Sequence, residues 1–422
     1  MPPRDAVLLQ IVRDHGTPCF VYFIDQLRAR IAHLRGAFGG RFALSYAVKS
    51  NPNPGVLSRL HGQVDSLDVS SGGEVVRARA AGWPGAKLSF TGPAKTASEL
   101  RAAIEHGVAE IVLESVDEAR LLNESCVRAH KTQGVLVRIA PKKVPRGFGV
   151  SMSGAATQFG IDEEDIDGAI AAIQALPGLE VRGLHIYSGT QCLRADAIAE
   201  NYEIFIDLFR RVCETHRLRP QRLIFGSGIG IPYYENDKPV DLAAVAARVN
   251  PALDQLAHRL GNPQLVLETG RYLIGEAGVY LTRVIRKKSS RGAEICLCDG
   301  GMNHHLGAAG HLGTVLFRNY RMFRLGAPSD GVSRPYNLVG PLCTSIDSFG
   351  RQVQLPEINA GDVVGIECSG AYGVTASPIH FISHPPPREL LVETVDGKLC
   401  IDESSMFRPP GDAAAGPLFT AR

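Results

Sequence analysis

No stretch of this 422-residue chain approaches the ~20 consecutive apolar residues that a membrane-crossing helix requires. Neither charge is in excess: 45 basic residues face 43 acidic ones, a formal net charge of +2, with no long run of either sign. The electrostatic footprint of a nucleic-acid or anionic-membrane partner is therefore missing. The nine cysteines are scattered without a Cys-x-x-Cys pair, and Cys296 and Cys298 fall inside an apolar, strand-like run. Reduced thiols fit this pattern better than a disulfide framework or a zinc site, so no metal is expected. The opening MPPRDAVLLQIVRDHG is broken by charges and lacks the apolar core of a secretory leader. What remains is a cytoplasmic enzyme, long enough for two domains or for one large barrel with an appendage.

What is present is a rhythm of short apolar runs bounded by turn residues: FALSYAV, DSLDVS, KLSFTG, EIVLES, GVLVRIA, VRGLHIYS, RLIFGSG and QLVLETG. Amphipathic stretches such as SGGEVVRARAAG and TASELRAAIEHG lie between them and read as helices. Eight strands alternating with helices over residues 42–270 predict an α/β fold, a parallel (β/α)8 barrel. The chemistry-bearing residues cluster at the C-terminal ends of these strands, where such barrels place their active sites. Lys49 ends strand one, Asp68 and Ser70 end strand two, Arg138 lies late in strand five, and Tyr187 ends strand six. Gly226, Gly228 and Gly230 follow strand seven, and Glu268 ends strand eight.

After about Gly275 the alternation stops. VYLTRVIRK, EICLCDGG, DVVGIECSG, ELLVETV and GKLCI follow, several separated by Gly/Pro turns, and predict a C-terminal antiparallel β-domain. The expected division is a barrel over residues 25–275 and a β-domain over 276–422. The end of the chain, Pro/Gly/Ala-rich from about residue 403, reads as a mobile tail.

Lys49 stands where an apolar strand runs into the turn residues Ser50, Asn51 and Pro52. Such a lysine either leaves the core there or is held for covalent chemistry, since partial burial lowers an amine's pKa and makes it nucleophilic toward carbonyls. The motif Y-A-V-K-S-N-P, residues 46–52, resembles the cofactor-lysine motif of the fold-type III pyridoxal-phosphate enzymes. These are the alanine racemases and the ornithine, arginine and diaminopimelate decarboxylases. The resemblance implies their alanine-racemase-like fold, in which the N-terminal segment 1–24 joins the β-domain.

It also implies pyridoxal 5'-phosphate as cofactor, which needs a lysine, a phosphate cradle, a partner for the ring nitrogen and a group against the ring face. The Gly226, Gly228 and Gly230 loop can offer backbone N–H groups to a phosphate. In L-E-T-G-R, Glu268, Gly270 and Arg271 match the decarboxylases' E-x-G-R motif, whose glutamate pairs with the pyridinium nitrogen. The racemases carry arginine there, so Glu268 favours decarboxylation; a structural Glu268–Arg271 ion pair is the alternative. G-L-H-I-Y-S-G-T-Q resembles the H-I-G-S-Q strand end, with Tyr187 in place of the ring-stacking histidine and Thr190 in place of a serine. His185 either faces the cofactor or is a satisfied core histidine. Asp68, Ser70 and Arg138 match residues around the cofactor pocket.

In the second domain G-P-L-C-T-S-I-D resembles the family's G-P-x-C-[D/E]-x-x-D motif. There the cysteine, here Cys343, reaches into the partner's barrel and protonates the substrate carbanion, so a homodimer with shared sites is implied. S-G-A-Y-G matches the motif whose tyrosine, here Tyr372, holds the phosphate from across that interface. The residue after the cysteine is Thr344 instead of an acid. A distal ammonium on the substrate therefore loses its counter-charge, and burying it unpaired costs several kcal/mol. An R-P-x-x-Y carboxylate-gripping element is replaced by a stretch containing His304 and His305, which either bond a substrate carbonyl or decorate a turn. With Asp347 these form the candidate substrate set.

Together the motifs look most like a side branch of the family, represented by the butirosin-biosynthesis decarboxylase of carrier-protein-tethered glutamate. The expected activity is loss of the α-carboxyl from an amino-acid unit without a distal ammonium, glutamyl-type and presented by an acyl carrier protein. Diaminopimelate decarboxylase is the alternative, and amino-acid racemase the next.

Overall fold

The computed structural model describes residues 3–311, 317–327 and 332–407. Eight parallel strands close on themselves: β2 (Ala43–Ala47), β3 (Ser66–Val69), β4 (Leu88–Phe90), β5 (Glu110–Leu113), β6 (Gln133–Ala140), β7 (Leu179–Ile186), β8 (Arg222–Gly226) and β9 (Gln264–Thr269). Each pairs with the next, and β9 returns to β2 in register, Leu267 beside Leu44. The strands are almost wholly buried, as expected where helices cover the outside of a barrel and side chains fill its interior. Helix starts are capped locally. Asn53 accepts from Gly55 N at 2.9 Å, with Pro54 at the first helical position of Pro54–Arg59. Thr96 and Glu99 form a reciprocal capping box on Ala97–Glu105.

The second sheet is mixed but mainly antiparallel. It runs β14 (Ser348–Pro356), β13 (Ser333–Val339), β11 (Ala293–Cys298), β10 (Gly278–Ser290), β1 (Cys19–Phe23), β16 (Arg388–Val395) and β17 (Lys398–Glu403). β12 (Met322–Arg324) pairs with β15 (Val363–Ile366), which also pairs with β10. The two parallel pairs are β1 with β16 and β11 with β13. The N-terminal β1 thus lies between two strands from the far end of the chain. Of the tail expected to be mobile from about residue 403, the described part is tied down. Ser404 N donates to Glu389 O at 2.9 Å, Asn53 Nδ2 donates to Ser404 O at 2.8 Å, and Met406 N donates to Glu389 Oε1 at 3.1 Å. Residues 408–422 lie outside the described residues. Among the described residues no helix is long and apolar enough to cross a membrane.

Candidate active site

β2 ends at Ala47, and one tight turn, Val48–Ser50, carries Lys49. Its neighbours fix that turn: Ser50 Oγ donates to Ala47 O at 2.8 Å and Asn51 N to Val48 O at 3.0 Å. Asn51 Nδ2 donates to Gly370 O at 2.9 Å, and Ser50 O accepts from Tyr372 N at 2.8 Å. The polar run after the lysine therefore ties the barrel to the second sheet. Gly270 contributes by closeness: a Cβ there would lie 2.7 Å from Ser50 Oγ and 3.1 Å from Ala47 O.

Lys49 Nζ lies 3.3 Å from Asp68 Oδ2, 3.5 Å from Ser70 Oγ and 3.9 Å from Glu268 Oε1. Burial favours the neutral amine, as the strand-end position suggested, but Asp68 and Glu268 outweigh it and the net shift is upward. The expectation of a lowered lysine pKa is thus reversed, because two carboxylates within 4 Å act through a poorly solvated medium. Asp68 is itself pushed up to about 6 by burial and by Glu268, against the pull of Lys49. His185 Nε2 is 2.9 Å from Glu268 Oε2. Burial, then Arg138, holds this imidazole down to about 3, so the neutral ring donates its Nε2–H to the carboxylate and leaves Nδ1 buried without a partner. Arg138 is anchored on Glu114 at 2.9 Å. The Glu268–Arg271 ion pair does not form. Arg271 Nη1 donates to Tyr233 Oη at 2.7 Å, and its guanidinium sits 4.6 Å from the centroid of the Tyr372 ring.

Lys49, Ser70, Arg138, His185, Tyr187, Thr190, Glu268, Arg271 and Tyr372 surround one cavity of about 520 Å³. The Tyr187 ring centroid is 5.9 Å from Lys49 Nζ. The three loop glycines stand behind that wall. A Cβ on Gly226 would meet Tyr187 Cδ2 at 2.3 Å, one on Gly228 (φ +64°) would meet Phe148 Cε1 at 2.5 Å, and Gly230 N donates to Cys192 O at 2.8 Å. At the wall itself are Thr190 and Arg271, whose Nε is buried and unpartnered.

Sequence reasoning passed over Thr91, Gln191, Tyr233, Tyr234 and Tyr320, which share the lining. Thr91 carried the same signal as Asp68, a polar residue at a strand's C-terminal end. Tyr320 carried none, since it comes from the other half of the chain.

The resemblance put Tyr372 in the partner's site, but it lines the cavity of its own chain. The loop leaves no choice: Ser369 N donates to Gly278 O at 2.9 Å and Gly370 N to Gly275 O at 3.0 Å, just before Tyr372 N meets Ser50. Cys343 is exposed, in the turn 340–347, and is not part of that cavity wall. Asp347 in this turn is buried, with Oδ1 accepting from Met302 N at 2.7 Å and Oδ2 from Leu342 N at 2.8 Å. It is an anchor, unavailable to substrate. His304 Nε2 meets Pro385 O at 3.0 Å and Nδ1 meets Tyr280 Oη at 3.2 Å. His305 Nε2 meets Ser369 Oγ at 3.0 Å, and its Nδ1 accepts from Ala308 N at 3.3 Å. Both imidazoles are buried inside their own domain, and burial lowers them to about 4 and about 3. Neither is free to bond a substrate.

A lysine between two carboxylates at the mouth of a parallel barrel is matched by a family model. The model described as the pyridoxal binding domain of pyridoxal-dependent decarboxylases matches residues 24–275. The chain belongs to the pyridoxal-dependent decarboxylases. It is 33% identical over 390 residues to the L-glutamyl-[BtrI acyl-carrier protein] decarboxylase of Niallia circulans, covering 92% of this chain and 91% of that one. It is 31% identical over 399 residues to the diaminopimelate decarboxylase of Zymomonas mobilis, with 92% and 90% covered. The crystal structure of diaminopimelate decarboxylase from Helicobacter pylori complexed with L-lysine superposes with a TM-score of 0.82 at 25% identity, covering 94% of this chain and 97% of that one. The enzyme is a lyase whose cofactor is pyridoxal phosphate, and its residues suit that group. They offer an amine in the cavity, a buried carboxylate beside it, an unpartnered guanidinium nitrogen for an anion and an aromatic ring alongside.

Proposed function

We propose that the enzyme removes the α-carboxyl of an amino-acid unit without a distal ammonium, glutamyl-type and carried on an acyl carrier protein, working as a cytoplasmic homodimer. Pyridoxal phosphate supplies the electron sink for the electrons released with carbon dioxide. Lys49 holds the cofactor's aldehyde carbon and Glu268 its ring nitrogen. Asp68 backs Lys49 from beneath the pocket, Arg138 lines its wall, and Tyr187 covers the ring face. Thr190, Arg271 and Tyr372 would take the phosphate, backed by the loop of Gly226, Gly228 and Gly230, with Gly270 allowing the close approach of the lysine turn. The partner subunit's Cys343 returns a proton to the α-carbon.

The observation that carries the substrate reading is Asp347. In the turn 340–347 it is the one acid, and both its oxygens are engaged by backbone amides. Beside Cys343 stands neutral Thr344, so the turn presents no free carboxylate to a substrate ammonium. The 33% identity to a decarboxylase of a carrier-linked glutamyl group points the same way. Diaminopimelate decarboxylation is the second reading, supported by the Zymomonas relative. Purified cofactor-loaded protein should be offered glutamate, a γ-glutamyl amide, carrier-loaded glutamate, ornithine, lysine and diaminopimelate, with carbon dioxide loss followed by mass. Preference for the masked glutamyl forms is expected. Efficient turnover of free diaminopimelate defeats the reading.

A further inference from the structure

Asp68 divides its two oxygens between different partners. Oδ2 faces Lys49 Nζ at 3.3 Å, while Oδ1 accepts a 2.6 Å hydrogen bond from Thr91 Oγ1. Thr91 directly follows β4, is buried at the cavity wall, and is pinned to β3 by Thr91 N donating to Val69 O at 2.9 Å. The backbone beyond it is pinned as well. Gly92 O accepts from Lys95 Nζ at 2.7 Å, and the same buried ammonium bonds Val112 O at 2.8 Å and Glu118 Oε1 at 2.7 Å. Gly92 itself has φ +145°, and a Cβ there would press on Ser70 O at 3.1 Å. The hydroxyl is therefore presented to Asp68 from a backbone clamped on both sides.

We propose that Thr91 is a positioning residue for the cofactor lysine: its hydroxyl orients Asp68 so that the second carboxylate oxygen stays on the Lys49 nitrogen. An O–H donor to an ionised carboxylate is among the stronger hydrogen bonds a protein makes, and it favours the charged acid. Without it Asp68 takes up a proton more readily and turns more freely, so it supports a proton on the lysine nitrogen less well. Among the described residues no second hydrogen bond to Oδ1 replaces it. The inference rests on the reading of Lys49 as the cofactor lysine.

The test uses cofactor-loaded protein and follows its visible absorbance against pH, which reports the protonation of the lysine nitrogen joined to the cofactor. Thr91→Val keeps the shape and removes the donor; Thr91→Ser keeps the donor. Thr91→Val should lower the absorbance midpoint by about one pH unit, the size of a charge-assisted hydrogen bond. Thr91→Ser should titrate as the unmodified enzyme does. If Thr91→Val does not fold, Thr91→Ala takes its place under the same criteria. Borohydride reduction and peptide mapping of every form identify the modified lysine. A label away from Lys49 overturns the reading beneath the proposal. A label on Lys49 with an unchanged or raised midpoint in the donor-less variant, or a serine variant that behaves like it, overturns the role of Thr91 alone.

Discussion

His185 donates its Nε2–H to Glu268 Oε2 across 2.9 Å, and both side chains are buried. The bond fixes the carboxylate's orientation and leaves Oε1 directed toward Lys49 at 3.9 Å. Glu268→Gln keeps the shape and loses the charge. It should lower turnover by about 10²-fold or more, in the range that removing one preorganised electrostatic partner costs, while cofactor occupancy measured by absorbance stays near that of the unmodified enzyme. Undiminished turnover in a loaded variant would reopen the racemase reading.

Tyr372 and Lys49 line one chain's cavity, whereas Cys343 stands exposed away from it. That predicts an asymmetric result in subunit-mixing experiments. In a two-fold dimer, Lys49→Ala mixed with Cys343→Ala produces heterodimers with one intact site, and random exchange should restore about a quarter of full activity. Lys49→Ala mixed with Tyr372→Ala should restore none, because each heterodimer then has both sites damaged. Rescue by the tyrosine pair contradicts the same-chain seat of Tyr372, and no rescue by the cysteine pair after verified exchange contradicts the shared-site model.

In the cofactor-free enzyme Asp68 and Glu74 should each withdraw stability as pH rises from their ordinary values to their raised ones. Burial raises Asp68 to about 6 and Glu74 to about 7, from ordinary values of 3.8 and 4.5. Acids raised in the folded state bind protons there that the unfolded chain releases. Their stabilising contribution is complete below the ordinary values and disappears as pH rises through 6 and 7. Lys49, also raised, loses its contribution only in far more alkaline solution. The buried His185, His304 and His305, lowered to about 3, 4 and 3, act in the opposite sense below about pH 6.5, so the check is a difference. The melting temperature of cofactor-free Glu74→Gln relative to the unmodified protein should rise between about pH 4.5 and pH 7. A flat difference would contradict it.

Asp347 holds the Cys343 turn through two backbone amides without touching the cavity. Asp347→Ala leaves those amides unsatisfied and should cost about 1–3 kcal/mol of stability, measured by denaturant unfolding. Turnover should fall with cofactor occupancy unchanged, because the turn carrying Cys343 loses its anchor.

Thr344→Asp should raise activity on diamino acids and lower it on a glutamyl amide, measured as the ratio of kcat/KM for the two substrates. An unchanged ratio would separate position 344 from substrate choice.

Local rules carried much of this protein. Apolar runs alternating with amphipathic stretches dictate a parallel barrel, and the strand ends place Lys49, Asp68, Arg138, Tyr187 and Glu268 around one opening, because a strand's polarity and period are short-range properties. FGRQVQLP, by contrast, forms β14, although its alternation was too short and polar to stand out. The charge state of Lys49, the seat of Tyr372 and the capture of His304, His305 and Asp347 inside their own domain came only with tertiary structure. Each depends on groups far apart in the chain, such as Asn51 and Gly370 at a separation of 319 residues. Which polar groups meet there, and which remain open to a ligand, is decided by how the two sheets dock and by what that docking removes from water.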